Sequence, residues 1–202
     1  MSAPPTARVP FVGLTGGLGA GKSTALAALG ELGAATLSTD AVVHELLGTP
    51  QLRERIADRF GADVVLDGTV DRGALAAKAF DSDEAREWLE ALLWPRVRER
   101  VAGWRTEVEA GEPAPPAAVV EVPLLFEAGM EAAFDHTIAV VADEAVREQR
   151  AGSRGHQAVQ ERTGRQLTQD EKAQRAGFAV RNDGTPEELK AQLSRLLTTM
   201  KA

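Results

Sequence analysis

Eight residues near the amino terminus constrain the fold more than any others in the chain. Gly16-x-x-x-x-Gly21-Lys22-Ser23 satisfies the spacing GxxxxGK[ST] in full. The apolar run 9–15 (VPFVGLT) precedes it and reads as a buried strand. Leu26, Leu29 and Leu32 follow at helical spacing, and Gly33 stops that helix. Strand, glycine turn and helix in this order form a cradle for phosphate. Glycines let backbone N–H groups turn inward without a Cβ in the way. The helix directs its positive end at the same anion. In this pattern the lysine reaches the β- and γ-phosphates, and the Ser hydroxyl ligates Mg²⁺. The motif therefore predicts binding of a nucleoside triphosphate with Mg²⁺. Gly17, Leu18, Gly19, Ala20, Gly21, Lys22, Ser23 and Thr24 are its contact residues, with Lys22 also catalytic.

The rest of the chain supports an α/β architecture. Residues 34–37, 118–122 and 137–142 read as further strands, each separated from the next by helical patterns, which predicts a parallel sheet covered on both faces. About 75 residues between the second and third strands read as entirely helical, too long for a simple crossover. They are expected to form an inserted subdomain over the carboxyl ends of the strands, where α/β ligands bind. Asp40 is expected to cap a helix over 41–47, Pro95 to kink or split a helix over 84–110, and the chain after Asp143 to be helical to its end.

Composition narrows the chemistry. Cys is absent, and the three His are scattered, so thiol catalysis and ordinary zinc sites are excluded. The chain carries 23 Lys+Arg against 30 Asp+Glu, a formal net charge of −7, which disfavours nucleic acid and anionic membranes as partners. No apolar run approaches the roughly 18 residues of a membrane helix. A cytoplasmic protein is expected. A guanine-reading NKxD is missing, which argues against a GTPase switch.

Phosphoryl transfer also needs a residue that orients or deprotonates the acceptor hydroxyl. Asp40, just past the second strand, is the candidate. Glu121 and Asp143 each end an apolar strand, and either suits the Mg²⁺ shell, Glu121 being preferred. Arg147, Arg150, Arg154, Arg162 and Arg165 crowd one short stretch among glycines and predict a lid over the triphosphate. Arg154 is the first choice for the transferring phosphate and Arg150 the second.

These blocks together resemble the dephospho-CoA kinase family over nearly the whole chain. The resemblance rests on GLTGGLGAGKST, on Asp40 with VVHELL, on DGTVDRGALAAKAF and WLEALLWPRVRER, on VVEVPLLFEAG and TIAVVAD, and on RNDGTPEEL. It implies a three-layer P-loop kinase core over about 8–40, 117–146 and 177–202, a helical CoA-binding insertion over about 41–112 and a lid over about 147–176. It implies ATP- and Mg²⁺-dependent phosphorylation of the ribose 3′-hydroxyl of dephospho-CoA. Asp40 would activate that hydroxyl, Arg154 would be the lid arginine, and Asn182 and Gly184 would lie near the adenine of ATP. Arg162, Gln166 and Lys172 match recurrent lid and post-lid positions. The family's usual Asp-x-Asp stands here as Ser38-Thr39-Asp40, its His-Pro as Trp94-Pro95, and the lid is about three residues shorter. Another nucleoside or nucleotide kinase, or a nucleotide-binding regulator without turnover, remains the alternative reading.

Overall fold

A computed structural model describes residues 8–152 and 166–200. The chain divides into two compact units, one comprising Met1–Ser38 with Arg105–Ala202, the other Thr39–Trp104.

The first unit is built on a five-stranded, all-parallel sheet of β1 (Phe11–Gly16), β2 (Ala35–Ser38), β5 (Ala118–Glu121), β6 (His136–Val141) and β7 (Phe178–Arg181), in the order β2-β5-β1-β6-β7. β1 lies at the centre and is buried along its whole length, so it must be apolar on both faces. Its alternation sorts the two layers. Val12 and Leu14 join the cluster that α1 (Lys22–Glu31) and α8 (Pro186–Met200) supply with Leu29, Leu189, Leu193 and Leu197. Phe11, on the opposite face, stacks on Phe134 and lies under the Arg105 guanidinium. On that same face a Cβ at Gly13 would lie 2.5 Å from Leu125 Cδ1 and 2.9 Å from Phe134 Cδ2, so a side chain there would displace both from the strand.

β7 corrects the reading that the chain after Asp143 is wholly helical. It is a four-residue edge strand in which only Val180 is fully buried, and so short a run carries no clear period. On either side of it stand α6 (Glu144–Gly152) and α7 (Gln169–Arg175) before, and α8 after. Thr168 and Glu171 close a capping box at α7, and Thr185 and Glu188 exchange the same pair of bonds at α8.

The second unit packs α2 (Thr39–Leu47), α3 (Pro50–Phe60), α4 (Arg72–Ala79) and the first part of α5 (Asp83–Ala110) around Leu52, Ile56, Phe60, Leu75 and Leu92. It is not entirely helical. Asp67 (φ 49°) and Gly68 (φ 76°) turn a hairpin of β3 (Val65–Leu66) and β4 (Thr69–Val70), strands too short to announce themselves in a pattern. Pro95 does not split α5, which runs unbroken for 28 residues. Arg96 donates from its guanidinium to Leu92 O at 2.6 Å, a side-chain bond to the helix backbone beside the site of the missing proline N–H. Although α5 is long, no helix among the described residues is long and apolar enough to cross a membrane.

Asp71 caps α4 by accepting from the Gly73 and Ala74 amides at 2.8 and 3.0 Å. Asp71→Ala is expected to lower stability by about 1 kcal/mol, read from the denaturant midpoint.

Candidate active site

The phosphate cradle sits where the strand order reverses, at the carboxyl end of central β1. Gly19 and Gly21 adopt left-handed backbone, φ 73° and 90°, and both are hemmed in from outside the loop. A Cβ on Gly19 would lie 2.6 Å from Arg147 O, and one on Gly21 would strike the Asn182 side-chain amide. Gly21 also offers α1 no side-chain cap, which leaves the first-turn N–H groups to an anion.

Side chains hold several of the loop's carbonyls. Lys22 Nζ donates to Gly16 O and Gly17 O, both at 3.1 Å. Arg147 Nε donates to Leu18 O at 2.9 Å, and Asn182 Nδ2 donates to Ala20 O at 2.8 Å. Ala20 N closes a turn onto Gly17 O. Four of the loop's carbonyl oxygens are thus engaged by side-chain donors, which fixes the loop's conformation. Sequence reasoning had grouped Arg147 with the lid arginines. Its backbone lies against Gly19 and its guanidinium against Gly17, so it also braces the loop. Helix α6 carries it there, at a separation of 129 residues from Leu18, and no local pattern announces such a contact.

Next to the cradle is a cleft of about 250 Å³ lined by Gly19, Gly21, Thr24, Arg150, Asn182, Gly184 and Pro186. It gathers six of the predicted nucleotide residues. Arg150 Nη1 donates to Asn182 O at 2.9 Å, while Asn182 N donates to Val141 O, so this 5% exposed asparagine joins β6, α6 and the loop. Gly184 is backed by the Glu188 carboxylate that caps α8. Ser23 is exposed at the start of α1.

Glu121 ends β5, buried, in register with Leu14 of β1 and Ser38 of β2. Asp143 is otherwise engaged. Arg181 bridges it and Asp183 at 3.0 and 2.8 Å, and these two carboxylates, Asp143 foremost, hold the guanidinium's pKa above its ordinary value. Asp40 belongs to the Thr39–Trp104 unit. It is exposed in the first turn of α2 and does not stand ahead of it as a cap, because the helix already begins at Thr39. Arg154 and Arg162 lie outside the described residues. Among the described residues no three His, Cys, Asp or Glu gather as a metal group.

The dephospho-CoA kinase family model matches residues 10–188. The chain belongs to the dephospho-CoA kinase family. It is 40% identical over 196 residues to a dephospho-CoA kinase of Anaeromyxobacter dehalogenans, covering 94% of this chain and 92% of that protein. The solved TT1252 protein of Thermus thermophilus is 31% identical with a TM-score of 0.79, covering 95% of this chain and 98% of its own. A dephospho-CoA kinase of Campylobacter jejuni shares the fold at 22% identity, with a TM-score of 0.68 over 95% of this chain and 96% of that one. The parallel α/β sheet expected from the strand pattern and the P-loop kinase fold implied by the resemblance are both borne out.

In this dephospho-CoA kinase family member, Asn182→Leu keeps the side chain's bulk and removes its amide. Ala20 O then loses its donor, and stability is expected to fall by about 1–3 kcal/mol. Affinity for ATP, measured by calorimetry, is expected to weaken about tenfold as the loop loosens.

Proposed function

We infer that the chain transfers the γ-phosphate of ATP to dephospho-CoA, giving CoA and ADP, with the ribose 3′-hydroxyl as acceptor. The single observation that carries this is the engagement of the Gly16, Gly17, Leu18 and Ala20 carbonyls by side-chain donors in a chain of this family, since a loop so held, opening a helix with no side-chain cap, suits a triphosphate.

The Gly17–Thr24 backbone grips the phosphates, and the Lys22 ammonium at the cradle rim neutralises charge on the group in transfer. The cleft lined by Thr24, Arg150, Asn182 and Gly184 takes the adenosine end of ATP. The donor set fits Mg²⁺, which prefers oxygen ligands and keeps several waters: Ser23 offers a hydroxyl and Glu121 a carboxylate at the end of β5. When bound, the ion offsets phosphate charge. Asp40 takes the proton from the acceptor hydroxyl, and Arg154 stabilises the transferring group. The Asp40 assignment is supported by its place two residues beyond β2, the strand whose last residue pairs with Glu121. The Thr39–Trp104 unit binds the acceptor, residues 147–176 form the lid, and the enzyme acts in the cytoplasm.

An ADP-release assay with ATP, Mg²⁺ and either dephospho-CoA or adenosine tests the reading. ADP is expected with dephospho-CoA at a rate well above the no-acceptor control. Equal rates with adenosine would point to a nucleoside kinase, and ATP binding without ADP to a regulator.

A further inference from the structure

We propose that Glu127 and Lys172 form a positioning pair for phosphoryl transfer, a role that rests on the reaction proposed above. Lys172 is 1% exposed, the most deeply hidden charge among the described residues, on the helix α7 that packs against β6 and β1. Its Nζ donates to Pro123 O at 2.7 Å and meets Glu127 Oε1 at 2.9 Å. The same Oε1 accepts from Leu167 N at 3.0 Å. Pro123 O in turn accepts from Thr15 Oγ1 at 3.2 Å, and Thr15 is the residue immediately before Gly16 of the phosphate cradle. One carbonyl and one carboxylate oxygen therefore join three stretches of backbone: the root of the cradle, the loop that follows Glu121, and the chain entering α7.

Two features separate this arrangement from a simple stabilising contact. A buried ion pair is a poor source of stability, because desolvation offsets its attraction, and apolar side chains of the same size serve a core as well. The second carboxylate oxygen, Glu127 Oε2, is also buried and has no hydrogen-bond partner among the described residues. An unmatched buried acceptor is rare enough to require a reason. Both polar ends instead grip backbone atoms of loops flanking the phosphate site. The hydrogen bonds of Lys172 and Glu127 reach the cradle through Pro123 O and Thr15, so the pair acts through the loop after β5.

The test compares wild type, Glu127→Gln, Lys172→Met and the double variant, all as the full chain. Melting, Mg·ATP affinity by calorimetry, and kcat and KM with dephospho-CoA are measured for each. Each single variant buries one charge alone and is expected to melt lower. The double variant removes both charges and is expected to recover most of that melting temperature. Its kcat is still expected to stay about tenfold or more below wild type, with Mg·ATP affinity and KM within about threefold. A purely structural pair would recover turnover with stability. The proposal is overturned if the double variant turns over within about twofold of wild type, if it does not fold, or if its kcat and ATP affinity fall together. A wild type that makes no ADP with dephospho-CoA overturns the proposed reaction and the pair's role with it. An active wild type beside an equally active double variant overturns the pair's role alone.

Discussion

Lys22→Met is expected to cut kcat by about 10²–10³-fold, the usual loss when a preorganised donor to developing charge is removed. The methionine keeps the length of the stem and discards the ammonium. In the wild type that ammonium is held at the rim by Gly16 O and Gly17 O, so it is already placed before any phosphate arrives. Little reorganisation is then needed at the moment of transfer, which is why the whole charge counts toward the barrier. Gly16 and Gly17 are buried, so their carbonyls lose a donor once the lysine is gone. Stability is therefore expected to fall by about 1–3 kcal/mol, without loss of the fold. ADP release at saturating ATP checks the rate, and circular dichroism checks the fold. A variant with more than about a tenth of wild-type turnover would remove Lys22 from the catalytic role.

Asp40→Asn is expected to lower kcat by about 10²–10⁴-fold, the range for loss of a general base. Asparagine retains size and hydrogen-bonding shape but has no basic oxygen at neutral pH. The substitution removes one acidic residue from the first turn of α2, worth a few tenths of a kcal/mol at this exposed site. Rate and stability should thus separate cleanly. KM for ATP is expected to hold, because the proposed nucleotide residues belong to the other unit. Near-full turnover in Asp40→Asn would return the residue to an ordinary helix position.

The cradle was legible in sequence because its chemistry is local. Glycine spacing, one lysine and one hydroxyl define it, and the flanking strand and helix have strong periodicity. Central β1, apolar on both faces, was equally readable. What sequence reasoning missed is non-local or marginal. Asn182 reaches Ala20 across 162 residues, and Arg147 reaches Leu18 across 129, so no window shows that they hold the loop. The pairing of Glu127 with Lys172 was not legible, since burial of a charge has no signature in hydropathy. β7 and the 65–70 hairpin are too short for a period. That Pro95 does not split its helix has a different reason. A proline penalty of about 3 kcal/mol is weighed against the burial of Leu92, Val97 and Val101 on either side, and tertiary packing prevails.

In the proposed reaction the cradle delivers the outer phosphate of ATP to dephospho-CoA. Incubation of the full chain with γ-labelled ATP, Mg²⁺ and dephospho-CoA, followed by separation of the products, tests it most directly. The label is expected in CoA as a 3′-phosphomonoester, one per ADP formed. Label recovered as inorganic phosphate, or retained in ATP while dephospho-CoA stays unchanged, would contradict it.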